Sequence, residues 1–249
     1  MWCGIITLFP DMFEALEYGV LGRAQKNDLL KIACWNPRDF TDNKHGNVDD
    51  RPYGGSPGMV MSVQPLHAAI QAAKKSAPKN TKIIYLTPQG KRFDQPAAEK
   101  LAKEDGFIFV AGRYEGIDER IMQLEPGEEW SVGDFVLSGG EFAAMTMIDA
   151  ITRLVPNVLG DAESANNDSH CAGLLEYPHY TRPDCYQDLV VPEVLLQGNH
   201  QAIAKWRLQQ SLGRTWQKRP DLLEKKTLST VEQELLREYQ ASEQGIKRD

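Results

Sequence analysis

The chain has no apolar run approaching the roughly 18 residues that cross a bilayer. Its apolar opening, Met1 to Pro10, carries neither a basic leader nor a small-residue cleavage site before Asp11. Neither a membrane span nor a secretory signal is therefore expected. Cysteine is scarce, with four residues among 249, and Cys3, Cys34, Cys171 and Cys185 lie too far apart to suggest a disulfide framework. They read as reduced thiols of a cytoplasmic protein. No Cys-x-x-Cys occurs, and His45, His67, His170, His179 and His200 include no pair at zinc-ligand spacing, so no structural metal site is expected. There is no Gly-Lys-Ser or Gly-Lys-Thr and no dinucleotide fingerprint. A cofactor gripped by its pyrophosphate thus lacks its usual mark. Covalent nucleophilic catalysis is not expected either. An overall basic surface is excluded by the net charge of −7.

What is present is ordinary globular composition, 41% hydrophobic and 25% charged. At this length one large domain, or one domain with a smaller companion, buries a core without covalent staples. The charge is uneven. Lys205, Arg207, Arg214, Lys218 and Arg219 fall within residues 200–220, where there is no anion. A local basic patch on an acidic chain suggests one docked polyanion. Trp206 and Trp216 interleave with these cations and offer faces for unpaired bases. The competing reading is a solvated helix face whose tryptophans are core, Trp206 foremost.

Short apolar runs predict strands at Gly4–Leu8, Lys31–Trp35, Lys82–Thr87, Phe107–Ala111 and Phe135–Leu137. Between them, helices are predicted from Asp11 through Glu17, from Pro65 to about Lys75, from Asp94 to about Glu104, and from Glu141 to Leu154. Alternation of this kind points to a mostly parallel α/β sheet with helices on both faces. The loop 36–61, with its glycines at 54, 55 and 58, is either functional or a disordered excursion. Residues 161–175 are small and polar and read as a flexible linker. Beyond them the pattern looks all-helical. Helices are expected over His200–Leu212 with Trp206 and Leu208 inward, over Pro220–Lys226, and from a Ser229/Glu232 capping box to about Gln240. The expected division is 1–160, 161–175 and 176–249.

Glycine-rich turns follow three strands, at Tyr85–Gly90, Ala111–Gly116 and Leu137–Glu141. Ligands of open parallel sheets bind beyond the carboxyl ends of the strands, so these turns could wall one pocket. S-adenosylmethionine suits such a pocket because it is an adenosine ligand with no phosphate. Equally, the turns are only turns. Asp168 is open to acid–base work or is a turn residue. Arg153 is open to charge stabilisation or only completes a helix dipole. Glu115 is equally ambiguous.

The ordered set of motifs resembles the bacterial tRNA (guanine-N1)-methyltransferases of the SPOUT superfamily. It comprises Gly4–Pro10, Trp35–Asp39, Asp49–Gly55, Tyr85–Gly90, Gly112–Arg120, Trp130–Glu141 and Pro178–Pro183, and it runs on to Trp216. The resemblance implies a deep trefoil knot in the α/β domain, a small helical tRNA-binding domain, and a homodimer. It implies an S-adenosylmethionine site at Tyr85, Leu86, Thr87, Pro88, Gly90, Gly112, Tyr114, Glu115, Ser131, Val132, Gly133, Asp134, Phe135, Val136, Leu137, Ser138, Gly139 and Gly140. It implies methyl transfer to N1 of the guanosine just 3′ of the anticodon, with Asp168 as general base, Arg153 stabilising charge, and a Mg2+ requirement at an unknown position. Lys205, Arg207 and Arg214 are the expected RNA contacts. The chain departs from the family pattern at Ser56, usually a third glycine, and at Thr87, Phe135 and Ala143, where serine, tyrosine and proline are common. Two alternatives stay open: a SPOUT methyltransferase for another RNA, and a non-catalytic RNA-binding module.

Overall fold

The computed structural model describes residues 1–160 and 168–246. The chain divides into two compact units, Met1–Ala162 and Glu163–Asp249.

The first unit is built on β1 (Trp2–Ile6), β2 (Lys31–Trp35), β5 (Lys82–Arg92), β6 (Gly106–Ala111) and β7 (Glu128–Ser131). They pair in parallel in the order β2-β1-β6-β5-β7. Central β1 and β6 are buried along their whole length, as strands covered on both faces must be. One face packs on α1 (Gly19–Lys26), α3 (Gln95–Leu101) and α5 (Glu141–Thr152) through Leu21, Ala98, Leu101, Met147 and Ile151. The other packs on α2 (Val63–Ser76) and α4 (Arg120–Leu124) through Leu66, Ile70 and Ile121. Asp94 caps α3 by accepting from the Ala97 N–H, as its sequence predicts.

Several expectations are corrected. Phe135–Leu137 is not a strand: its side chains are exposed on a turn, and three apolar residues carry no period to tell the two apart. The fifth strand is β7, missed because Glu128 and Glu129 mask an edge strand that pairs only with β5. Helix α1 was also missed. Its Gly22 argues against a helix, yet a Cβ there would lie 1.9 Å from the Glu17 carbonyl oxygen. Residues 10–17 form a 3₁₀ helix. The loop 36–61 is neither all loop nor a free excursion. It contains a 3₁₀ turn at Pro37–Phe40 and the two-residue antiparallel strands β3 (Asp49–Asp50) and β4 (Val60–Met61).

In the second unit, α6 (His200–Lys218), α7 (Pro220–Glu224) and α8 (Thr230–Ile246) surround Leu174, Leu212 and Leu235. Ser229 and Glu232 form the expected capping box, exchanging N–H donors at 2.8 and 3.3 Å. The unit is not all-helical. Strands β8 (Cys185–Tyr186) and β9 (Leu189–Val190) make a hairpin whose turn residues Gln187 and Asp188 have φ of 50° and 64°. Positive φ at both positions is what a two-residue hairpin turn demands, and Gln-Asp is a weak signal for it. Helix α6 runs past Leu212 because Gly213 does not end it. A Cβ at Gly213 would sit 2.5 Å from the Tyr239 ring, so the glycine lets α8 approach. Helix α8 also extends beyond Gln240. Leu208 packs on the leucine core as expected, but Trp206 does not and lies against Tyr180 instead.

Of the expected linker, residues 161–167 lie outside the described residues. Asp168 begins a series of turns that leads to buried Leu174.

Candidate active site

The carboxyl ends of β5, β6 and β7 open onto one pocket of about 500 Å³, within the range of small-ligand sites. Strand β5 makes it possible. Leu86 and Lys91 both register against Trp130, so Thr87–Gly90 bulges out of the ladder to form one wall. A Cβ at Gly90 would lie 2.4 Å from the Trp130 backbone nitrogen, which explains the glycine that closes the bulge. Beyond β6, Tyr114 adopts φ of 60° and turns the chain toward Glu115. Beyond β7, Ser131 closes the next turn: its hydroxyl donates to the Gly133 carbonyl at 2.9 Å and accepts the Gly133 N–H at 3.2 Å.

The third turn lies beside the second. The Gly140 N–H donates to the Gly112 carbonyl, and Gly139 bridges Arg113. A Cβ at Gly140 would stand 2.7 Å from the Ala111 Cα, so only glycine admits the two backbones at this spacing. Buried Glu141 locks them from below. Its carboxylate accepts from the Thr7 hydroxyl at 3.0 Å and from Arg113 Nε at 2.9 Å. Arg113 also donates to the Ser138 carbonyl and lies 4.5 Å over the Phe9 ring.

Most of the expected cofactor residues line this pocket: Tyr85 to Pro88, Gly112, Tyr114, Glu115, Ser131 to Gly133 and Phe135 to Gly140. Gly90 and Asp134 do not line it. Gly90 serves the bulge, and Asp134 points to solvent. Sequence reasoning passed over Arg113, Gln89, Ile117 and Trp130, which also line it. Arg113 stood inside a quoted motif, but its partner Glu141 is 28 residues away, beyond any local pattern.

Below the pocket, the Tyr85 hydroxyl donates to the Glu125 carbonyl at 2.6 Å. Burial pushes the Tyr85 hydroxyl well above its usual range, and the nearby Glu125 charge adds to this. The buried Glu125 side chain is ringed by His67, Gln71 and Lys74. Its carboxyl is held below the usual range: burial opposes this, but hydrogen bonds from Lys74, Gln71 and His67 outweigh it. The glycine loop reaches the same wall. The Glu115 N–H donates to the Met59 carbonyl, and Gly58 leaves room for the Glu115 side chain. That loop spells Gly-x-Ser-x-Gly at Gly54–Gly58. It joins two short antiparallel strands, however, and so is no strand-to-helix nucleophile elbow.

Each remaining candidate is placed in its own unit. Arg153 is half-buried and caps the C-terminus of α5. Asp168 is half-buried in a turn, its carbonyl accepting from the Cys171 N–H. In the helical unit the basic stretch is partly compensated by one carboxylate just beyond its end, Asp221, and one distant in sequence, Glu238. Lys205 lies 3.9 Å from Glu238, and Arg219 grips Asp221 with two nitrogens at 2.8 and 2.7 Å. Arg207 covers the Tyr177 ring at 4.7 Å, and Arg214 is half-buried. Among the described residues no cluster of His, Cys, Asp and Glu is placed to hold a metal ion. No described helix is long and apolar enough to cross a membrane.

Comparison with known proteins gives this arrangement a family. The family described as tRNA (guanine-1)-methyltransferase TrmD matches residues 1–225. The chain is 60% identical to a tRNA (guanine-N(1)-)-methyltransferase of Aeromonas hydrophila over 240 residues, 96% of both chains. It is 60% identical to the protein of that name from Tolumonas auensis and 57% to that from Vibrio vulnificus, each with 96% of both chains covered. The chain belongs to the tRNA (guanine-1)-methyltransferase family.

Proposed function

We propose that the protein transfers a methyl group from S-adenosylmethionine to N1 of the guanosine immediately 3′ of the anticodon in tRNA. The observation that carries the reading is the family match over residues 1–225. The pocket supports it. Its volume suits an adenosine ligand, and at Gly140 the turn runs against the Ala111–Gly112 main chain at the mouth of β6. Leu86–Pro88, Gly112, Val132, Gly133 and Phe135–Gly140 would hold that ligand, which supplies an electrophilic methyl group when bound.

The chain's own residues must do the rest. In neutral guanine N1 carries a proton and has no free lone pair. A base must take that proton as the N1–carbon bond forms, and Asp168 is assigned this role. Negative charge then grows on O6 and needs a cation, the role assigned to Arg153. Lys205, Arg207 and Arg214 are assigned to tRNA phosphates.

The reading includes a Mg2+ requirement, a homodimer, the family's trefoil knot and a cytoplasmic location. The described residues present no cluster of His, Cys, Asp and Glu placed to hold Mg2+. The homodimer is supported by Phe135, Val136 and Phe142, which are 56%, 83% and 52% exposed in a single chain. Apolar surface of this kind is usually covered by a partner.

Asp168→Asn tests the assignment. It is expected to bind S-adenosylmethionine as the parent does and to lower turnover by about 100- to 10,000-fold. Turnover within a few-fold of the parent would remove Asp168 as the base.

A further inference from the structure

The motif Pro178–Pro183 is a conspicuous block of sequence that the proposed reaction leaves without work. In the helical unit it follows Tyr177, and the segment 177–180 runs beside α6 at Trp206 and Arg207. Tyr177 and His179 bring their rings to 4.8 Å, Tyr180 and Trp206 theirs to 6.4 Å, and the Arg207 guanidinium covers the Tyr177 ring at 4.7 Å. These contacts form two neighbouring groups, Tyr177 with His179 and Arg207, and Tyr180 with Trp206, joined through the chain at 179–180 and 206–207.

The core does not account for them. It is a cluster of leucines, Leu174, Leu212 and Leu235, with Leu208, Leu223, Leu228 and Leu236 packed against it. None of the rings belongs to it. Tyr180 is 49% exposed and the His179 side chain 64%, and every residue from His179 to Val190 is exposed. His179 and Tyr180 thus keep ring surface open to solvent, while Tyr177 and Trp206 are half-buried, and an exposed ring beside others is a surface on which a flat ligand can stack. Their order is also held. Glu176 Oε2 lies 3.1 Å from His179 Nε2 and fixes the imidazole, while Arg207 fixes Tyr177.

Charge decides the kind of ligand. Arg207 lies over one ring, Lys205 and Arg182 neighbour the ring residues in sequence, and Glu176 and Glu238 are the anions in contact with His179 and Lys205. A protein-docking patch is commonly a contiguous apolar area. Here rings alternate with cations, the combination that holds unpaired nucleotides by stacking and phosphate attraction together.

We propose that Tyr177, His179, Tyr180 and Trp206, with Arg207, form a stacking platform for unpaired bases of the tRNA substrate. The inference rests on the tRNA reading above and deepens it. The cations set the salt dependence of binding, and the ring faces add affinity that salt does not screen.

The test uses the full chain and an unmodified tRNA transcript with G after the anticodon. Binding is titrated at several salt concentrations for the parent, for His179→Leu/Tyr180→Leu, and for Tyr180→Phe. The double variant is expected to raise Kd about 5-fold or more for each face lost, with the same salt slope. Tyr180→Phe keeps its face and is expected to bind like the parent. An unchanged Kd in the double variant would overturn the platform. So would a weakened Kd accompanied by an altered oligomeric state on a sizing column, since that marks a protein interface.

The parent protein gives an answer that does not depend on the variants folding. Crosslinking to a transcript carrying 4-thiouridine in the anticodon loop is expected to give adducts on peptides containing 177–180 or 206–207. Adducts only elsewhere would overturn the proposal. Formation of 1-methylguanosine by the same preparation reports separately on the reaction. Methylation with no adduct at these rings removes the platform alone. Adducts without methylation keep the platform and remove the reaction.

Discussion

Arg113→Leu probes the joint that holds the pocket together. Glu141 is fully buried, and its carboxylate has two partners, the Thr7 hydroxyl and Arg113 Nε. Leucine retains contact with Phe9 but withdraws the guanidinium, leaving a buried charge with one neutral donor. Removing one member of a buried pair costs about 3–5 kcal/mol, a large share of the roughly 5–15 kcal/mol that holds a domain folded. With a urea slope of about 2 kcal/mol/M, the midpoint of the first unit should fall by about 1.5–2.5 M. Replacing the pair together, Arg113→Leu/Glu141→Leu, removes the uncompensated charge and should recover most of that loss. Urea titrations of the three proteins, followed by tryptophan fluorescence, supply the comparison. A single variant within about 1 kcal/mol of the parent, or a double variant no better than the single, would refute the view that Glu141 depends on Arg113.

Three further outcomes are expected. Gly140→Ala drives a methyl group into the Ala111 backbone at 2.7 Å, a contact with no flexible side chain to yield. It should destabilise the fold by about 1–3 kcal/mol and weaken S-adenosylmethionine binding in calorimetry, whereas unchanged affinity would mean that this turn does not shape the pocket. The lowered carboxyl of Glu125 contributes stability that is complete above its ordinary value of 4.5 and disappears as pH falls through the folded value. Glu125→Gln should therefore flatten the acid limb of a stability–pH curve, and an unchanged limb would show that another group sets it. Removing Lys205, Arg207 and Arg214 together should weaken tRNA binding and lower its salt slope by up to about three, while an equal slope would put the phosphate contacts elsewhere.

Much of the site was legible because its parts are local. The bulge after β5, the turn after β6 and the Leu137–Glu141 turn announce themselves by glycines beside apolar runs, whereas Ser131 to Val136 are marked only by the family resemblance. The residues quoted there line one pocket, except Gly90 and Asp134. The unseen parts are those that depend on distant residues. Glu141 looked like an acidic start to a helix, and nothing near it names Thr7, 134 residues away, as a partner. Glu128 and Glu129 hid β7, because an edge strand need not look apolar. Gly22 and Gly213 serve close packing inside helices, which no local pattern around them shows. The cations at 205–219 looked unopposed because the count stopped one residue short of Asp221, which pairs with Arg219, and because Glu238, which reaches Lys205, lies on α8.

The central claim is methylation of one guanine, and a nucleoside digest tests it most directly. The protein would be incubated with S-adenosylmethionine, Mg2+ and an unmodified tRNA transcript carrying G immediately after the anticodon. The RNA would then be digested and separated with mass detection. A peak of 1-methylguanosine that vanishes when that single G is replaced by A is the predicted result. No such peak from a preparation that binds both S-adenosylmethionine and the transcript, or a peak that survives the replacement, would contradict the account.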